Sequence, residues 1–178
     1  MKRLMGFYTV VAAGLLAACF TSPAYSQTPK LTDPEIASVA VTANQVDINY
    51  AELALKKTKN ADVVKFAETM SRDHKAVIEQ AVALVKKLGV TPKDNAVSKK
   101  LLSDAGKTKT ALAGKSGKAF DKAYIDNEVA YHKAVISTVE SVLVPESQNA
   151  ELKKLLQDVV PALKAHLEHA EMVQKGLK

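Results

Sequence analysis

The sequence predicts an all-α protein, a ferritin-like four-helix bundle with one long crossover between helices 2 and 3. Four long segments repeat apolar residues every three or four positions, as buried helix faces do. Glycines and prolines cluster between those segments, and Trp is absent. Two connections are short, which makes antiparallel pairs, whereas a long connection separates Gly89 from Gly117. An up-down-up-down bundle with a floppy loop in that position is the alternative.

The first two predicted helices have clear boundaries. Helix 1 opens at the capping box Thr32-Asp33-Pro34-Glu35 and continues to about Lys57. Asn60 is the expected cap of helix 2, which Gly89 and the following proline end. The pattern therefore predicts an antiparallel hairpin over residues 32–88.

The second half predicts another hairpin. Helix 3 covers about residues 118–144 and ends at Pro145, and helix 4 begins near Ser147 or Asn149 and ends by Gly176. Pro161 lies well inside helix 4, so we expect a kink or a break into two helices there. The long connection is predicted to contain one short helix at residues 96–102.

The N-terminal residues have the pattern of a secretory signal. Lys2 and Arg3 precede an apolar run that is too short to span a bilayer comfortably, and small residues lead to Ser26. We expect residues 1–26 to be a signal peptide and residues 27–178 to be one helical-bundle domain in the periplasm. Alternatively, the segment Leu16-Ala17-Ala18-Cys19 is a lipoprotein box, in which case Cys19 carries lipid and the protein is anchored to a bacterial membrane.

Positive charge is concentrated in residues 86–122, which hold ten lysines and three acidic residues in a chain of net charge +6. A basic surface of this kind attracts anionic lipid headgroups or acidic proteins, although it also occurs as a solvated surface segment. Aromatic residues are not interleaved with these lysines before Phe120, so nucleic-acid binding is not expected. The segment is a candidate contact for an anionic membrane surface.

Three of the four histidines lie on the inward stripes of three different helices. His74, His132 and His166 each lie near the middle of a predicted helix, and Asp47 lies at the midpoint of helix 1. Mid-helix positions coincide whichever way the helices run, so these residues are expected to share one layer. His169 is one position off its stripe and is expected to be exposed.

Neutral imidazoles and a carboxylate that converge in a bundle core form a candidate site for a divalent metal: zinc, iron, manganese or copper. The alternative is that the histidines are packing residues with hydrogen bonds to neighbouring helices. Candidate partners in that case are Tyr50, Tyr124 and Tyr131.

Familiar enzyme motifs are not found. Carboxylate-bridged di-iron bundles need Glu-x-x-His, but the residues three positions before His74, His132 and His166 are not glutamates. The sequence also has no Gly-x-Ser-x-Gly and no phosphate-binding glycine loop. We therefore do not predict a catalytic residue.

Several motifs together resemble the bacterial family of domain of unknown function 4142, whose members are exported ferritin-like proteins. The resemblance extends from Asp33 to Val173 and implies a ferritin-like bundle and an envelope location, but no defined reaction. Family members often carry glutamates in helix 1 where this chain has Asp47 and Asn49, so the resemblance assigns no ligand role to Asp47. The resemblance to the family rests on residues 33–35, 60–67, 70–74, 120–124 and 161–167, together with His132.

Three functional hypotheses follow. The first is a non-enzymatic, periplasmic or envelope-associated bundle that binds metal. The second is a metal-dependent oxidoreductase or metal-storage protein with its histidine site in the bundle core. The third is an adaptor that uses residues 86–122 to bind acidic membrane or protein surfaces.

Overall fold

The described part of the protein is an all-α bundle, as predicted. The structure is a computed structural model that describes residues 30–177, so the predicted signal peptide and Cys19 lie outside the described residues. Across residues 30–177 the chain forms no strand. Nor does any helix in that range combine the length and the apolar character that crossing a bilayer demands. The helices are α1 (Asp33–Lys57), α2 (Ala61–Leu88), α3 (Ala96–Ala113), α4 (Gly117–Thr138), α5 (Val144–Glu146) and α6 (Ala150–Gly176).

Hydrogen bonds between helix ends define the topology. The backbone N–H of Lys93, which follows α2, donates to the Pro34 carbonyl at the start of α1 (2.9 Å). At the other end of the bundle, the Lys57 ammonium donates to the Ala113 carbonyl at the end of α3 (2.5 Å). The α3 helix therefore extends along the whole of α1 and returns the chain to the far end. This confirms the long crossover, with α1 and α2 antiparallel, and α4 and α6 antiparallel.

The crossover helix is longer than the sequence indicated. The expected helix covered residues 96–102, whereas α3 extends to Ala113. Its inward positions are small or modest in size and follow 3-4 spacing: Ser98 and Leu112 are buried, and Leu101 and Ala105 pack against the core. Because these residues are separated by lysines and threonines, the apolar stripe is weak in the sequence.

The last two predicted helices also differ in detail from the structure. A π-helical turn, Val139–Leu143, follows α4, so the regular helix ends earlier than Pro145. Of the kink or break expected at Pro161, the break into two helices is wrong, because α6 continues through Pro161 without interruption. Pro161 and Gln157 are both exposed, so the Gln157 carbonyl that loses its intrahelical partner lies on the solvent side.

The four long helices enclose two different cores. At the end of the bundle where α1 and α6 finish, an aromatic core contains fully buried Phe66, Met70, Phe120 and Tyr124. At the end where α1 and α6 begin, an aliphatic core is formed by a set of Ile, Val and Leu residues. Its members are Ile36, Val39, Ile136, Val139, Leu143, Leu152, Leu156 and Leu163. The mid-helix histidines lie between these two cores.

The side chain of Asn95 should be a main anchor of the crossover helix. Its Oδ1 accepts the N–H groups of Val97 and Ser98 (2.9 and 3.1 Å), and its Nδ2 donates to the Glu35 carbonyl on α1 (3.0 Å). We expect Asn95→Ala to lower the free energy of unfolding by roughly 1–2 kcal/mol, measured by urea denaturation. Asn95→Asp keeps the cap and loses only the bonds that the amide nitrogen donates to the Glu35 and Lys93 carbonyls, so its effect should be smaller. Equal losses in the two variants would contradict a capping role.

Candidate metal centre

The structure brings the three predicted histidines together in the middle of the bundle. His74 on α2, His132 on α4 and His166 on α6 are each buried. The His74 ring centroid lies 5.2 Å from that of His166 and 5.7 Å from that of His132, and the third pair is 5.6 Å apart. One nitrogen of each ring lies within 4.8 Å of one nitrogen of each of the others. The layer predicted from mid-helix positions is therefore present.

Asp47 joins this layer from α1. Its side chain is fully buried. Its Oδ2 lies 3.3 Å from Nε2 of His74 and 3.6 Å from Nε2 of His132. Neither carboxyl oxygen of Asp47 has a hydrogen-bond partner. All four long helices thus contribute one side chain to the site.

Two of the histidines are oriented by acceptors on their outer side. Nδ1 of His74 lies 2.7 Å from Oδ1 of Asn44. The Asn44 amide nitrogen donates to the Ala40 carbonyl (2.8 Å), which fixes the orientation of the amide. Nδ1 of His132 lies 3.0 Å from the Glu128 carbonyl. Since both partners are acceptors, each imidazole carries its proton on Nδ1 and keeps a lone pair on Nε2.

The third histidine is oriented in the opposite sense. Nε2 of His166 lies 3.0 Å from Oδ2 of Asp73. Partial burial raises the pKa of Asp73, but hydrogen bonds from Arg72 and His166 outweigh it, and the net pKa is lowered. Asp73 is therefore an ionised acceptor at neutral pH, and the His166 lone pair is on Nδ1. A carboxylate behind a histidine in this way is a frequent support for metal-ligating imidazoles.

The inward nitrogen atoms have no other partner. Nε2 of His74, Nε2 of His132 and Nδ1 of His166 are all buried and make no hydrogen bond. Outer acceptors hold the N–H groups outward, so three lone pairs are directed to the interior of one layer. Such an arrangement can accept a metal ion or a proton donor.

Burial sets the protonation of the site. It lowers the pKa of His74 to about 3, with repulsion from His132 and His166 adding to the shift. It also lowers the pKa of His132 to about 4. Burial raises the pKa of Asp47 to about 8. At neutral pH without metal, His74 and His132 are therefore neutral, which is the ligating form of imidazole, and Asp47 is protonated.

A second buried carboxyl group, Glu128, was missed by the sequence analysis. Its side chain is fully buried, and its Oε2 has no hydrogen-bond partner and lies 3.6 Å from Nδ1 of His132. Burial, and then the nearby Asp47 charge, raise the pKa of Glu128 well above its usual value. Asp47, Glu128 and His132 form a second group whose candidate ligand atoms lie within 4.8 Å. The sequence contains a signal for Glu128, because it lies one helical turn before His132, at position i−4. The di-iron motif Glu-x-x-His has its glutamate at position i−3.

The tyrosine partners proposed for packing histidines are not used in the described residues. Tyr131 donates instead to the Ala43 carbonyl (2.8 Å), and the Tyr124 hydroxyl is buried without a partner. His169 lies outside the layer, as expected, but it is half-buried rather than exposed, with its ring 5.2 Å from that of Phe66. The lysines of α3 at positions 99, 100, 107 and 109 are exposed, and their attraction to anionic surfaces stays a prediction.

Comparisons with solved structures identify the fold. A putative secreted protein, DUF305, from Streptomyces coelicolor aligns with a TM-score of 0.68 and 9% identity, over 80% of this chain and 91% of its own. A DUF305 fragment from Deinococcus radiodurans aligns with a TM-score of 0.68 and 13% identity, over 83% and 99%. CopM in the Cu(II)-bound form aligns with a TM-score of 0.61 and 20% identity, over 82% and 98%. At these identities, the likeness shows a common fold.

The family is shown by the sequence itself. No protein of curated function matches the chain. The family model described as a domain of unknown function, DUF4142, matches residues 20–173, which include α1 to α5, α6 as far as Val173 and every side chain of the histidine layer. The protein therefore belongs to the DUF4142 family.

Proposed function

We propose that this protein binds one divalent transition-metal ion in an exported compartment and acts in metal handling. Its ligands are His74, His132 and His166, with Asp47 as the fourth. One observation carries the proposal: three imidazole lone pairs from three helices converge in a buried layer and have no other partner. The N-terminal leader pattern supports the exported location.

The energetics favour a metal over histidines that only pack. A buried polar atom without a hydrogen bond costs about 1–3 kcal/mol, and this layer holds three such nitrogen atoms beside the two oxygens of Asp47. Packing could be achieved by apolar side chains without that cost. A metal ion would satisfy the three nitrogen atoms and one carboxylate oxygen together.

The donor set favours Zn²⁺ or Cu²⁺. Imidazole suits both ions, and neither of the two candidate groups contains a cysteine, whose thiolate selects Cu⁺. The common fold with CopM, a protein observed in a Cu(II)-bound form, supports including copper. Sites of this type bind Cu²⁺ more tightly than Zn²⁺ in general, so selectivity would come from geometry and metal supply.

The first prediction from the proposed metal site concerns its stoichiometry. The protein purified from the compartment in which it resides should hold close to one Zn²⁺ or Cu²⁺ per chain, measured by inductively coupled plasma mass spectrometry. His74→Ala and His132→Ala should each lower the affinity for the metal at least about 100-fold in a chelator competition, because each removes one ligand. His169→Ala is the matched control and should bind normally. A wild-type protein that neither contains nor takes up metal would exclude the proposal.

The second prediction concerns the outer acceptor Asp73. Asp73→Ala leaves the three ligands in place but removes the carboxylate that orients His166, so the affinity for the metal should fall roughly 10- to 100-fold. The control is Asp158→Ala, which removes an exposed carboxylate of α6 that pairs with Lys154. If both variants bind the metal equally well, Asp73 does not orient a ligand.

The third prediction concerns the pH dependence of Asp47 in the metal-free protein. Folded Asp47 keeps its proton up to about pH 8, whereas the unfolded chain releases it near pH 4. Its contribution to stability is thus complete below about pH 4 and is lost as the pH rises to about 8, by up to about 1.4 kcal/mol per pH unit. Asp47→Asn does not ionise. The difference in the free energy of unfolding between Asp47→Asn and the wild type should therefore shift in favour of the variant between pH 5 and pH 8.

Urea denaturation at both pH values measures this difference, and Asp158→Asn is the exposed control. Saturating Zn²⁺ should reverse the order at pH 8, because the ionised Asp47 then has a metal partner that an asparagine replaces poorly. Parallel pH profiles for the wild type and Asp47→Asn would show that Asp47 is not held protonated in the fold.

A further inference from the structure

A cavity of about 370 Å³ extends from the histidine layer into the aliphatic half of the bundle. On each long helix, a polar residue of the layer lies at one limit of the lining stretch. On α1 the lining ends at Asp47, and on α6 it ends at His166. On α2 it begins at Asp73 and His74, and on α4 it begins with Tyr131. The cavity therefore has a polar end at the candidate metal and continues toward the end of the bundle where α1 and α6 begin.

Away from the layer, the walls are mostly aliphatic, and the polar side chains there, Gln80 and Thr138, carry no charge. The lining of α1 is provided largely by small residues, Ala37, Ala40 and Ala43, which leave space opposite the larger side chains of the other helices. Val85, Leu155 and Val159 also line the cavity and are only partly buried. An apolar ligand that covered these side chains would remove them from water, which is favourable.

The core of the other half of the bundle is closely packed. This aromatic core is filled by Phe66, Phe120, Tyr124 and Met70, each with no exposed surface. Aromatic side chains are not found in the aliphatic core. The π-helical turn, whose buried residues Val139 and Leu143 line the cavity, adds an irregular wall of a kind often found at functional sites. This cavity therefore lies in the half of the bundle that contains the π-helical turn.

The size and shape of the cavity indicate the class of ligand. At the ~30 Å³ that a water molecule occupies in the liquid, the cavity holds roughly a dozen non-hydrogen atoms. Its lining on α1 extends from Ala37 to Asp47, about 15 Å at the 1.5 Å rise of a helix. A narrow apolar chain with one polar end fits this space better than a compact ring or a peptide.

We propose that the cavity binds a linear medium-chain carboxylate, with its alkyl tail along the aliphatic walls and its carboxylate at the metal. The position of the head group rests on the metal site proposed above. A divalent ion held by three neutral imidazoles and one carboxylate keeps a net positive charge, so it attracts a second anionic oxygen ligand. The aliphatic walls offer no counter-charge for an ionic group elsewhere in the chain of the ligand.

Isothermal titration of delipidated, zinc-loaded protein with hexanoate, octanoate, decanoate and tetradecanoate tests this proposal. Affinity should rise with each added methylene, by at most roughly fourfold, and should stop rising once the cavity is filled, at about the length of decanoate. Decanol, which lacks the anionic head, should bind roughly tenfold more weakly than decanoate. Equal affinities across the series, or a steady rise through tetradecanoate, would overturn the proposal.

A cavity-filling variant supplies a second test. Ala40→Leu adds a larger side chain to the cavity wall at a position that is not a ligand, so decanoate should bind roughly tenfold more weakly while zinc binding is kept. Ala111→Leu, at an exposed position on α3 outside the cavity, is the control and should bind decanoate like the wild type. If Ala40→Leu fails to fold by circular dichroism, the chain-length series decides alone.

The same titrations separate this proposal from the metal site. Normal zinc binding without any decanoate binding would overturn the cavity ligand and leave the proposed function intact. Decanoate binding that is equally tight in metal-free His74→Ala protein would overturn the placement of the carboxylate at the metal. If the wild-type protein does not bind zinc, the proposed function is wrong, whatever the decanoate titrations show.

Discussion

The structure of this bundle depends on one constraint: three imidazole lone pairs are held inward, in a buried layer, by acceptors behind them. Reversing any of the three rings would place an N–H group in the interior and leave an outer acceptor without a donor. The rings are thus fixed by Asn44, the Glu128 carbonyl and Asp73, and not by packing alone. The buried Asp47 adds an oxygen to the same layer and, without metal, a proton. In the proposed function, a bound cation would displace that proton.

Much of this arrangement could be predicted from the sequence, for a geometric reason. Residues at the midpoint of a helix stay at the middle of a bundle whichever way the helix runs, so His74, His132 and His166 were placed together before their topology was known. The helix cap at Asn60 could also be predicted from the sequence. Its side chain accepts the N–H groups of Asp62 and Val63, as expected of an N-cap asparagine. Both kinds of inference use only spacing along one helix.

The remaining features depend on how helices are rotated against each other, and spacing does not determine that. Asn44 and Asp73 lie 30 and 93 residues from the histidines that they orient, and each would be an ordinary polar residue on an isolated helix. Glu128 was within reach of a local argument, since it lies one turn from His132, but only the i−3 position was considered. The cavity was not predictable, because an alanine such as Ala40 is compatible with either close packing or open space.

The two halves of the bundle are packed differently, and a bound metal would connect them. The aromatic core is fully buried and supplies stability, whereas the aliphatic half contains a cavity and partly exposed side chains, which cost stability. The single cysteine in the chain rules out an intramolecular disulfide as compensation. A metal bound by residues of all four long helices would supply that compensation at the boundary between the halves, since metal-binding free energy becomes folding free energy. A site that stabilises the open half of the bundle can thus also be the site at which a ligand in that half is recognised.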